Sequence, residues 1–307
     1  MTLRFLTIAL TLTLTACATI PDISQSRSPC RSEPGGWCAF VREAAVEAYP
    51  FAIAATNAYR GDDDVYQELG PTLRSLERLE IAEEDADKGF GYQIFEQLGA
   101  PDETGDRKPV ARILAFRGTD FDGLTDIFYG TLKNDQIEIA LRYFELEKAR
   151  SPDLPWIVTG HSLGGALATE VSIQYPDVQA FMFNTSPFYR GDGMSNDMRR
   201  TVFNERGEVL RRFARYDAAP AADAFELNCS PEVSSISKHE IRRLSDCITW
   251  IAAYGSEDAG AVVAANGVPK PRVECGAEDK VHPGANYRQQ VACVHLARRI
   301  KQRSKDN

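Results

Sequence analysis

A serine lies between glycines in the stretch "GHSLGG", residues 160–165. A serine hydroxyl acts as a nucleophile when a tight turn presents it and a neighbouring base removes its proton. The residues before the stretch, "LPWIVT", predict a short buried strand, and those after it, "ALATEVSIQY", predict a helix. Strand, sharp turn and helix in this order hold a nucleophile in a strained position, so we predict that Ser162 is one.

The residues around Ser162 fit such a turn. Gly160 and Gly164 are small where the turn would crowd neighbouring backbone, and alanines in the following helix allow close packing on a sheet. The helix N-terminus would also point free N–H groups towards Ser162, which favours negative charge there. His161, inside the turn, is expected to pack beside it and not to act as the base.

Two stretches carry a family resemblance. "VTGHSLGGALA" resembles the nucleophile elbow of the class 3 (fungal-type) lipases, and "ILAFRGTD" followed by "LTDIFYG" resembles the strand that supplies their oxyanion hole. The resemblance implies that the backbone N–H groups of Thr119 and Leu163 form the oxyanion hole, where donors stabilise a tetrahedral acyl intermediate. It covers about residues 39–220, and further on only His282.

The resemblance implies a serine carboxylic-ester hydrolase that acts on lipid esters and uses no metal or organic cofactor. The sequence leaves open a non-lipid acylesterase or thioesterase, and a catalytically inactive scaffold in the cell envelope. The class 3 lipases have the α/β-hydrolase fold, and hydrolases of this fold supply their catalytic triad in the chain order Ser, Asp, His.

The acid and the base are expected downstream of Ser162. Asp217 follows the predicted strand "EVLRRFARY" and is similar to the family's Asp-x-x-Pro segment; Asp223 is the alternative. His282, in a loop before a predicted last helix, stands where the family places its histidine. His295, inside that helix, and His239, expected at the surface of a polar helix, are the alternatives for the base.

The predicted elements give an α/β fold. "GFGYQIFEQ" and "VARILAFRGT" predict an antiparallel hairpin, and "NDQIEIALRYFELEKAR" predicts a helix. "VQAFMFN" predicts another apolar strand, and residues 38–59 suit a helix interrupted at Pro50. Strands alternating with helices predict a mostly parallel central sheet flanked by helices, as in the α/β-hydrolase fold.

The N-terminus predicts export. Residues 1–16 read as a signal peptide, and "LTAC" resembles the bacterial lipobox, with Cys17 as the lipidated residue. Residues 17–36 would form a tether and residues 37–307 the hydrolase-like domain, with a Cys-containing insertion at 219–277. We expect a lipid-anchored envelope protein on the periplasmic side of the outer membrane. Ala16 and Ala18 could instead form an ordinary cleavage site that releases a soluble periplasmic or secreted protein.

Charge and cysteine content indicate which partners and which compartment suit the protein. The chain has 307 residues, a formal net charge of −9 and seven cysteines. An acidic chain without a long basic run argues against a nucleic-acid partner. Without Cys17 an even number of cysteines remains, which suggests disulfides in an exported protein. We predict pairing between neighbours: Cys30 with Cys38, Cys229 with Cys247, Cys275 with Cys293.

Overall fold

A central sheet organises the chain. The structure is a computed structural model, and it describes residues 25, 28–59, 65–118, 132–213 and 220–274. Seven strands lie in the sheet in chain order: β1 (Leu73–Leu76), β2 (Tyr92–Pro101), β3 (Arg107–Phe116), β4 (Trp156–His161), β5 (Gln179–Phe183), β6 (Arg200–Glu205) and β7 (Asp223–Leu227). The first three strands pair antiparallel, and each pairing from β3 to β7 is parallel.

Six α-helices belong to the described part of the chain. They are α1 (Ala39–Asn57), α2 (Glu83–Ala86), α3 (Leu132–Arg150), α4 (Leu163–Gln174), α5 (Ile241–Ala252) and α6 (Glu257–Asn266). Helices α1, α5 and α6 contribute to the hydrophobic core on one face of the sheet, and α3 and α4 to the core on the other. The predicted fold class, a mostly parallel sheet flanked by helices as in the α/β-hydrolases, is confirmed.

The parallel strands are apolar on both faces because helices cover both. In β4 every residue is buried, and Ile157 packs with α1 while Val158 packs with α4. A sheet covered on both sides therefore appears in the sequence as continuous apolar runs. The predicted hairpin of β2 and β3, the helix α3 and the strands β4 and β5 are confirmed.

Two of the predicted elements are wrong. Helix α1 is not interrupted at Pro50 but runs through it, with the proline buried in the packed half of the helix. Burial of that half against the sheet and α5 outweighs the hydrogen bond that a proline removes. The predicted strand "EVLRRFARY" does not form: Val209–Phe213 is a 3₁₀ helix, and the strand is β6, which ends before it.

Disulfides link neighbouring segments as predicted. Cys30 is bonded to Cys38 and Cys229 to Cys247. The predicted pair of Cys275 and Cys293 lies outside the described residues. The stretch 219–277, expected as an insertion, contributes β7 to the sheet and contains α5 and α6.

A membrane-spanning helix must be both long and apolar. Of the helices within the described ranges, none is long enough and apolar enough to cross a bilayer.

Candidate active site

Ser162 occupies a strained turn between β4 and α4. Its backbone has φ 55° and ψ −123°, a conformation that a residue with a side chain rarely adopts. The turn is held by its own backbone: Ser162 N donates to the carbonyl of Phe183 on β5, and Ser162 O accepts from the N–H of Ser186. Ser162 is only 2% exposed. The predicted strand–turn–helix around the serine is therefore present.

The turn forms only because glycines allow backbone to approach backbone. A Cβ on Gly160 would lie 2.3 Å from the carbonyl atoms of Gly164, and one on Gly164 would lie 2.3 Å from the carbonyl oxygen of Phe116. Such distances are far below van der Waals contact, and rigid backbone cannot move aside cheaply. The helix α4 is thereby held against the ends of β3 and β4, which fixes where Ser162 points.

One predicted oxyanion donor lies within the described residues. Leu163 is the first residue of α4, so its N–H has no acceptor within the helix and is available to a substrate oxygen. Thr119 lies outside the described residues. Its neighbour Gly118 lies against the nucleophile, because a Cβ placed on Gly118 would be 3.2 Å from Cβ of Ser162. The end of β3 thus reaches the side of Ser162 that the prediction requires.

A carboxylate and an imidazole are paired at the same edge of the sheet. Glu208, three residues after β6, accepts a hydrogen bond from Nδ1 of His239 at 2.8 Å. Both residues are 1% exposed. The Glu208 side chain also accepts from the N–H of Leu210 at 2.7 Å, which fixes the carboxylate against its own turn. This is the arrangement in which an acid orients a base.

The pair orients the ring of His239. Nδ1 of His239 faces the Glu208 carboxylate, so Nε2 is the ring nitrogen directed away from it. The His239 ring centroid is 4.7 Å from the ring of His161, the residue immediately before Ser162. The imidazole of His239 therefore lies beside the residue that precedes Ser162.

The segment carrying His239 is tied to the strand ends. Asn184, the residue after β5, donates from Nδ2 to the carbonyls of Lys238 and His239, at 3.0 and 3.3 Å. The Cys229–Cys247 disulfide closes the chain on either side of this segment. Contacts from three different elements therefore fix the imidazole.

Sequence reasoning missed this pair. The prediction that His239 lies at the surface is wrong: it is the last residue of the 3₁₀ helix Ser237–His239 and is itself buried. Glu208 was not considered, because it is the first residue of the strand expected from the sequence, whereas in the structure it follows β6 by three residues. The usable signal was the run "TVFN" followed by "ERGE", an apolar strand that ends in a turn with carboxylates.

Other predicted site residues are not brought together with Ser162 by the described chain. Asp217, His282 and His295 lie outside the described residues, as does Cys17, and their assignment stays a prediction. Asp223, the alternative acid, is exposed at the first residue of β7. The strand register places Asp223 level with Thr159 of β4 but three strands away, so about 14 Å of sheet lies between Asp223 and the strand that leads to Ser162.

Within the described ranges, no group of three or more His, Cys, Asp or Glu side chains has the geometry to hold a metal ion.

Comparisons with known proteins give a likeness of fold. No protein-family model and no curated protein matches the chain. Solved structures of lipases are similar over part of it: Lip2 lipase from Yarrowia lipolytica has 15% identity and a TM-score of 0.41, covering 61% of this chain and 79% of that one. Lipase II from Rhizopus niveus has 16% identity and a TM-score of 0.40, covering 55% and 74%. The Rhizomucor miehei lipase propeptide complex has 12% identity and a TM-score of 0.43, covering 66% and 77%. At these values the likeness assigns no function and no residue to this chain.

Proposed function

We propose that the protein is a serine carboxylic-ester hydrolase that works through an acyl-enzyme on Ser162. The observation that carries the proposal is the strained conformation of Ser162 on a buried strand–helix turn. A strain of this kind costs on the order of 1–3 kcal/mol and persists where the surroundings impose it, often at functional sites. Glycines on two sides impose it here.

Each step of the reaction has a group at this edge of the sheet. Nε2 of His239 takes the proton of Ser162 Oγ as the oxygen attacks the ester carbonyl, and the N–H of Leu163 stabilises the resulting oxyanion. His239 then returns the proton to the leaving alkoxide. Water adds to the acyl-enzyme by the same two proton transfers, which releases the carboxylic acid and restores Ser162. Glu208 holds the ring and stabilises its charged form.

Two acid–base pairs are candidates for these steps. The sequence resemblance implies Asp217 with His282, and Thr119 as the second oxyanion donor. The second pair is Glu208, after β6, with His239, before α5. The 2.8 Å contact between these two side chains favours this pair. Both pairs keep the chain order of nucleophile, acid and base.

Matched substitutions separate the two pairs. We expect Ser162→Ala and His239→Ala each to lower kcat on p-nitrophenyl esters by more than about 10³-fold, and Glu208→Gln by at least about tenfold. His282→Ala and Asp217→Asn should leave at least half of the activity. The opposite pattern would restore the pair drawn from the sequence. A wild-type protein that neither hydrolyses esters nor reacts with a fluorophosphonate would be the inactive scaffold.

We propose a lipid ester as the substrate class. A cavity of about 700 Å³ adjoins the end of β3; apolar rings such as Phe90 and Tyr92 line it beside Arg78 and Arg117. Arg117 precedes Gly118, which contacts Ser162. An amphiphilic ester suits such a lining better than a wholly polar one. A series of acyl chains from short to long, and the corresponding thioesters, distinguishes a lipase from an acylesterase or a thioesterase by the trend in kcat/KM.

We further propose that the protein is held at a membrane through lipid on Cys17 and faces the periplasm. The two disulfides fit an oxidising compartment outside the cytoplasm. An anchored enzyme meets membrane esters at a high local concentration. We expect radioactive palmitate to label the wild type and not Cys17→Ala. A wild type that incorporates no label would contradict the anchor and favour a soluble exported protein.

A further inference from the structure

A chain of hydrogen bonds joins the end of β3 to the segment that carries His239. Gly118 N lies 3.1 Å from the Tyr59 hydroxyl, which lies 2.9 Å from Nδ1 of His161. Nε2 of His161 lies 2.7 Å from the carbonyl oxygen of His239. None of these contacts is needed to form the sheet, because Tyr59 follows α1 and His239 precedes α5.

Chemistry allows only one direction for the protons. The His239 carbonyl can only accept, so Nε2 of His161 carries the proton, and Nδ1 of the neutral ring is an acceptor. Tyr59 must then donate its hydroxyl proton to Nδ1, and its oxygen accepts from Gly118 N–H. The three hydrogen bonds therefore run in one direction, from the N–H of Gly118 to the carbonyl oxygen of His239.

We propose that Tyr59 and His161 form a positioning relay. It sets the distance between His239, the proposed base, and the chain after β3 that leads to Thr119, the predicted oxyanion donor; we call this chain the oxyanion strand. The inference rests on the proposed function, with His239 as the base. The relay members need not touch substrate. They act by fixing the backbone of His239 on one side and Gly118, next to Thr119, on the other.

Burial keeps the relay in its neutral form. His161 is inside the protein, and burial, with a smaller contribution from the nearby His239, holds the pKa of His161 well below its ordinary value. The titratable side chains that face the His161 ring from the described elements are Tyr59 and His239. His161 therefore keeps its single proton on Nε2 at physiological pH, and the direction of the relay does not change.

The same carbonyl of His239 has a second donor in Asn184. Asn184 is fully buried, and its side-chain oxygen accepts from the N–H of Glu205 at 2.7 Å. The ends of β4 and β5 thus each supply one donor to the backbone of the base. Only the donor from His161 continues to the oxyanion strand, so the two can be tested separately.

The test compares isosteric substitutions in the full-length protein. Tyr59→Phe removes the hydroxyl, and His161→Leu removes both nitrogens. His161→Gln keeps a donor for the His239 carbonyl and an acceptor for Tyr59. Tyr49→Phe is the matched control, because Tyr49 lies in α1 and its hydroxyl contacts Thr72, away from the site. Ester hydrolysis gives kcat and KM, and thermal unfolding gives Tm.

We expect Tyr59→Phe and His161→Leu to lower kcat by about ten- to a hundredfold with KM within about twofold, since misplacing a catalytic group by about 1 Å has such an effect. His161→Gln should recover at least a third of wild-type kcat, and Tyr49→Phe should leave kcat unchanged. The relay is refuted if Tyr59→Phe retains wild-type kcat, or if Gln at position 161 is no better than Leu.

A spectroscopic measurement checks the proton positions without relying on activity. In ¹⁵N-histidine NMR, one imidazole should remain a neutral Nε2–H tautomer from pH 8 to pH 5, and its signals should vanish in His161→Gln. A His161 ring that titrates in this range would overturn the relay. This outcome leaves the hydrolase proposal intact, whereas a wild type inert to a fluorophosphonate defeats that proposal and not the measured tautomer.

Discussion

Single atoms decide whether the turn at Ser162 can form. Ser162 has a positive φ, and Gly160 and Gly164 have no Cβ where one would meet backbone at 2.3 Å. The backbone strain at Ser162 and the close packing at Gly160 thus have one cause, the tight turn between β4 and α4. The serine is held in an unfavourable conformation because its neighbours leave no room for another.

Gly160→Ala should therefore distort the turn that holds Ser162, although it adds only one methyl group. We expect labelling of Ser162 by a fluorophosphonate to slow at least tenfold, and the free energy of unfolding to fall by about 1–3 kcal/mol from overpacking. Gly255→Ala is the control, since its Cβ would meet only a methyl group of Val46, at 3.2 Å. Equal effects of the two changes on labelling would contradict the argument.

At the scale of elements, the site depends on how strand ends are connected. His239, the proposed base, lies between β7 and α5, in a segment closed by the Cys229–Cys247 disulfide, whose cysteines are 18 residues apart. This segment contributes little regular structure of its own, so its position depends on the disulfide, on Asn184 and on Glu208. A cross-link there serves the site as well as the fold.

Replacing Cys229 and Cys247 by alanine should lower both stability and activity. Loop-closure entropy predicts a loss of about 3 kcal/mol in the free energy of unfolding. We expect kcat to fall at least fivefold at a temperature where the variant is still folded. The control replaces Cys30 and Cys38, which are 8 residues apart and precede α1. It should lose a similar free energy, about 2.5 kcal/mol, with kcat unchanged. A loss of kcat in both variants would point to general destabilisation.

At the scale of the whole molecule, buried carboxylates join segments that are far apart in sequence. Glu274 accepts hydrogen bonds from Trp37 and Trp250, at 2.9 and 2.8 Å, and from the Tyr254 hydroxyl. Glu205 accepts from the N–H groups of Cys229 and Ser230 after β7. Burial raises the pKa of both groups, to about 7 for Glu205. The folded state therefore retains protons that the unfolded state has lost.

The sign of the pH dependence follows from these raised pKa values. Below about pH 4.5 Glu205 is protonated in both states, and between about pH 4.5 and 7 only the folded state holds the proton. The free energy of unfolding should fall as the pH rises through this window, by up to about 3 kcal/mol from Glu205 alone. Urea unfolding at pH 5 and pH 8 measures the difference, which should shrink in Glu205→Gln. If the free energy of unfolding of Glu205→Gln changes between pH 5 and pH 8 as much as that of the wild type, Glu205 is not the source of the pH dependence.

The sequence by itself determined the features that local patterns encode. The glycines and serine of residues 160–165, between an apolar run and a small-residue helix, predicted the strand, turn and helix that the structure contains around Ser162. Turn formers between two β-rich runs predicted the hairpin, and near neighbours predicted two disulfides. These features depend on residues close together in the chain, where geometry leaves few alternatives.

Only the tertiary structure decided which carboxylate meets which histidine. Glu208 and His239 are 31 residues apart, and they meet because β6 and β7 are parallel neighbours whose carboxyl ends lie at one edge. Asp217, which follows the strand expected from the sequence, lies outside the described residues, so its assignment stays a prediction. Pro50 shows the same limit, since packing against the sheet kept helical a segment that its own residues would interrupt. Local propensity is worth less than about 1 kcal/mol at most positions, and burial in a shared core readily exceeds it.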